Sequence, residues 1–91
     1  MVSFTLRART KEEEKESEKV INDLKKVFGK ERVEVRGYEL WFSITITEVG
    51  AWVCIKDITY ENKNRFHLFG EGDKTLQFDI DLDQCDTIYL L

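Results

Sequence analysis

Three aspartates at alternate positions, Asp79, Asp81 and Asp83, interleave with Leu76, Phe78, Ile80 and Leu82. In a strand this pattern sends the apolar set to a core and leaves the carboxylates on the opposite face, about 6.7 Å apart. A row of like charges is unfavourable, so something must compensate it. Arg7, Lys63 or Arg65 on a neighbouring strand would turn the row into ordinary surface ion pairs. A cationic partner would make it a docking surface, with charge steering the encounter. A divalent cation would make it a metal site, because hard oxygen ligands suit calcium or magnesium.

The metal reading fails on spacing. Asp79-x-Asp81-x-Asp83 matches the start of a calcium-binding loop, but the sixth position would be Gln84 instead of glycine and the twelfth Leu90 instead of glutamate. Catalytic arrangements are equally sparse. His67 is the sole histidine and sits among Phe66, Leu68 and Phe69. A Cys85–His67 pair would combine a nucleophile with a base, but a histidine in such a strand is far more often structural or at the surface. No glycine-rich phosphate loop, nucleophile elbow or paired-cysteine motif occurs. The expectation is a non-enzyme with no cofactor and no metal.

Charge distribution then points to a protein partner. The whole chain has 14 Lys and Arg against 18 Asp and Glu, a net charge of −4, which argues against gripping nucleic-acid phosphates directly. Residues 70–91 hold one base, Lys74, against Glu71, Asp73, Asp79, Asp81, Asp83 and Asp86, so the whole negative excess lies there. A DNA strand carries a phosphate about every 3.4 Å, so three aspartates alone are too sparse to imitate it, and Glu71, Asp73 and Asp86 must adjoin them. The first functional expectation is therefore a small acidic inhibitor that blocks a basic, nucleic-acid-binding protein by occupying its groove. By analogy of size and charge only, phage anti-restriction and anti-CRISPR proteins and bacterial immunity proteins include chains of this kind.

These residues need a scaffold, and the 91 residues, with 42% hydrophobic and 35% charged, suffice for one domain, 1–91. Val2, Phe4, Leu6 and Ala8 alternate with polar residues, predicting a strand over 2–8. Thr10 with Glu13 is a capping-box signature, and Val20, Ile21, Leu24, Val27 and Phe28 fall on one helical face until Gly29, predicting a helix over 11–28. Lys11 to Lys19 contains no apolar residue, so those first turns are expected to project into solvent. From Val33 to Thr47 the pattern is one long strand kinked at Gly37, followed by a turn at 48–50 and a strand over 51–60. An even turn would pair Ile46 with Val53 and Ile44 with Ile55. Further strands are predicted at 65–69 and 75–83, with an apolar tail at 87–91. The fold class is α+β: one helix on an antiparallel meander sheet, β-α-β-β-β-β with a further strand allowed by the tail.

The predicted hairpin gives a second expectation. Its outward face would carry Trp41, Trp52 and Ile58 together, an aromatic surface suited to self-association as a homodimer. Stacking of single-stranded nucleic acid on those rings would need a basic surround, which the composition lacks. The N-terminal residues resemble neither a signal peptide nor an anchor, and no apolar run is long enough for a membrane span. Two cysteines and no glycosylation sequon suggest a reducing cytoplasm.

Overall fold

A computed structural model describes residues 2–48, 50–58, 63–81 and 85–90, with side chains given for 2–37, 39–48, 50–52 and 65–79. The elements in chain order are β1 (Val2–Arg7), α1 (Lys11–Phe28), a 3-10 turn (Lys30–Arg32), β2 (Val33–Tyr38), β3 (Trp41–Ile46), β4 (Trp52–Ile58), β5 (Lys63–Phe69), β6 (Thr75–Asp81) and β7 (Cys85–Leu90). The protein is α+β, with one helix packed against antiparallel strands.

The helix forms where its caps dictate. Thr10 Oγ1 accepts the N–H of Glu13 at 3.1 Å, satisfying an amide the first turn would leave unpaired, while Glu12, Glu13 and Glu14 face the positive end of the helix dipole. At the other end Gly29 takes φ 93°, a conformation costly for any residue with a Cβ, and its N–H returns to Lys25 O at 3.0 Å. The docked face runs Ser17, Val20, Ile21, Leu24 and Phe28. Ser17 is fully buried, so the helix meets the core a turn earlier than its apolar pattern implied; a small side chain there permits close approach.

The strands divide into two sheets, of order β2-β3-β1-β7 and β4-β5-β6. Two expectations are corrected here. The long strand with a kink at Gly37 is a hairpin, β2 and β3, whose pairs run from Val33 opposite Ile46 to Tyr38 opposite Trp41 across a two-residue turn at Glu39 and Leu40. Gly37 is an in-register strand residue opposite Phe42. The pairing of Ile46 with Val53 and Ile44 with Ile55 does not form. Ile44 and Ile46 lie between β1 and β2, opposite Phe4 and Val2 on one side and Val35 and Val33 on the other, and the chain leaves this sheet after β3 to start the second one. Burial decides the choice: in β3, an inner strand of the four-stranded sheet, both isoleucines are 0% exposed.

One core serves both sheets and the helix. It joins Val2, Phe4 and Leu6 of β1, Ile44 and Ile46 of β3, Phe66 and Leu68 of β5, and the apolar stripe of α1. Phe78 of β6 bridges the sheets, its ring centroid 5.2 Å from that of Phe66 and 6.0 Å from that of Phe4. No helix among the described residues is long and apolar enough to cross a membrane.

A buried carboxylate fixes the junction. Glu48, in the segment between the sheets, has a side chain only 1% exposed. Its Oε1 accepts from Lys74 Nζ at 2.6 Å and lies 3.6 Å from Arg32 Nη1, while Oε2 accepts the Glu71 N–H at 2.8 Å. The Lys74 hydrogen bond, and next the Glu71 N–H, hold this carboxyl below its ordinary 4.5 against the opposing cost of burial. Glu48 thus ties the β5–β6 turn to the end of β3. The same turn closes through Gly70 N–H to Lys74 O at 3.0 Å. A Cβ at Gly70 would strike the Glu48 carboxylate and come within 2.6 Å of the Phe28 ring, so only glycine fits between them.

Candidate interaction surface

The acidic pattern of β6 folds as its alternation requires. Thr75, Gln77 and Asp79 are exposed, while Leu76 and Phe78 pack against the core. On β5 the same alternation buries Phe66 and Leu68 and leaves Arg65, His67 and Phe69 half-buried on the outer face. Register then sets the rows across the three-stranded sheet: Trp52, Phe69 and Thr75; Cys54, His67 and Gln77; Asp57, Arg65 and Asp79; and Lys63 with Asp81. A bulge between Ile55 and Asp57 adjusts β4 to keep these rows.

Of the compensations for the aspartate row, the neighbouring strand supplies the one at Asp79. Arg65 Nε donates to Asp79 Oδ1 at 2.9 Å and Nη2 donates to Oδ2 at 3.2 Å, a two-pronged pair with each side chain 36% exposed. Asp81 stands opposite Lys63 in the register. Arg7 belongs to β1 in the other sheet, where its guanidinium lies 4.5 Å from the centroid of Trp41.

Five of the six acids are distributed over three places. Glu71 and Asp73 are exposed in the β5–β6 turn, Asp79 and Asp81 lie toward the far end of β6, and Asp86 is in β7 of the four-stranded sheet. Asp83 lies outside the described residues. From Asp73 to Asp79 an extended chain covers about 20 Å, which separates the acids of the turn from Asp79.

The aromatic face is corrected in its composition. Trp41 opens β3, opposite Arg7 and Tyr38, whereas Trp52 opens β4 in the other sheet. They share no hairpin face because β3 and β4 do not pair. Ile58 ends β4 opposite Asn64, and its side chain lies outside the description. Trp52 has instead a partner the sequence reading did not single out. Its ring stacks on Phe69 at 4.2 Å between centroids and 17° between planes, and His67 continues the stack 6.3 Å beyond Phe69. Trp52 is 46% exposed, one of two large hydrophobic residues so exposed among the described side chains, the other being Leu40 in the β2–β3 turn. The signal available in sequence was the parity of Phe69 with Arg65 and His67, which puts it on the polar side of its strand.

His67 and Cys85 are not brought together by the ladders. His67 pairs with Cys54 and Gln77 in the three-stranded sheet, and Cys85 with Leu6 in the four-stranded one. The His67 Nε2 atom is buried and has no hydrogen-bond partner among the described residues.

A concave feature lies between α1 and β6. A groove of about 290 Å³ is lined by Glu16, Lys19, Val20 and Asp23 of α1 and by Gln77, Phe78 and Asp79 of β6. Comparison of the chain with models of known protein families, with curated proteins and with solved structures returned no match.

Proposed function

We propose that this protein is an assembly subunit without bond-making chemistry, which self-associates through the outer face of the three-stranded sheet with Trp52 at its centre. The observation that carries the reading is the Trp52–Phe69 stack, a large aromatic surface held flat while 46% of Trp52 stays exposed. Rings already fixed in place lose little freedom on association, and tryptophan is prominent among residues that dominate interface energies. The charge on this face favours a protein of the same kind over a highly charged partner. Arg65 and Asp79 neutralise each other, whereas nucleic acid would call for an excess of cations and a basic groove for an excess of anions. A balanced face is also self-complementary under a two-fold axis. We assign the assembly to a reducing cytoplasm from its two cysteines and lack of sequons.

Sedimentation velocity over a concentration series tests this. Wild type is expected to dimerise, and Trp52→Ser to sediment as a monomer with an unchanged circular dichroism spectrum. A wild type that stays monomeric at all concentrations refutes the reading.

The acidic-inhibitor reading is kept as a second proposal because the exposed Glu71 and Asp73 lie in the segment that holds the chain's negative excess. It expects a basic, nucleic-acid-binding protein to be retained from lysate by wild type, released by salt, and lost with the Asp79/Asp81/Asp83→Asn variant. Equal retention by both forms would count against it.

A further inference from the structure

We draw no further inference here: the strongest candidate, the groove between α1 and β6, has Asp79 already paired with Arg65 and Asp23 with Lys19 at 3.0 Å, and nothing in the structure shows what covers it.

Discussion

Replacing Lys74 by methionine isolates the energetic role of the Glu48 junction. The substitution keeps the length and apolar stem of the side chain and deletes the ammonium that Glu48 Oε1 accepts from at 2.6 Å. Glu48 itself stays 1% exposed and charged, left with the Glu71 N–H at 2.8 Å and Arg32 at 3.6 Å. Breaking a fully buried ion pair costs about 3–5 kcal/mol, and here Lys74 is 36% exposed and two partners persist, so about 2–3 kcal/mol is expected. For a domain of this size that lowers Tm by about 10–20 °C. The pH dependence has a definite sign. The folded-state pKa of Glu48 is lowered, so the unfolded chain binds more protons in the acid range and stability falls with falling pH. The contribution is fully present above the ordinary carboxylate value of 4.5 and is lost as pH drops through the lowered one. Urea denaturation of wild type, Lys74→Met and Glu48→Gln at a series of pH values measures this. The gap between wild type and Glu48→Gln should narrow toward low pH. A Lys74→Met protein within about 0.5 kcal/mol of wild type at neutral pH, the range of ordinary surface substitutions, refutes the reasoning.

Two further substitutions probe the scaffold. Gly70→Ala places a methyl group against the Glu48 carboxylate and the Phe28 ring, and thermal denaturation should show a loss of more than about 1–3 kcal/mol, as for overpacking elsewhere. Thr10→Ala removes the acceptor for the Glu13 N–H and should cost about 1 kcal/mol in the same assay, with little change in the rest of the fold.

The sequence was most legible where a single element decides its own form. Thr10, Glu13 and Gly29 mark the helix ends because capping is local, and the alternation from Leu76 to Asp79 survives because β6 buries one face only. Pairing was less legible. Between Val35 and Phe42 the apolar positions change from odd to even numbers, and between Ile46 and Val53 they change back. A two-residue hairpin turn, a kink and a passage between sheets all produce such a change. The first proved to be a hairpin and the second a passage between sheets, and what separates them is burial of Ile44 and Ile46 by strands remote in sequence. The aspartate row was visible, and so was Arg65 as a neutralising candidate; their two-pronged pairing depended on β5 lying beside β6. Glu48 left no signal, since its partners Glu71 and Lys74 are 23 and 26 positions away. The Trp52–Phe69 stack is of the same kind, fixed by a ladder that periodicity does not encode.

The pairing of β1 with β7 imposes an order in time. Val2 faces Leu90, and no closer partner can take that side of β1 in the finished sheet. During synthesis the strands β4, β5 and β6 can join as soon as each emerges, because consecutive strands pair there. β1 gains β3 some forty residues later and must hold its other margin open until β7 (Cys85–Leu90) has also been made. Non-local closure of this sort is slow relative to hairpin formation. Between the synthesis of β1 and that of β7, a ribosome-bound chain therefore leaves one side of β1 exposed, and that interval is when a chaperone or a wrong strand has access to it.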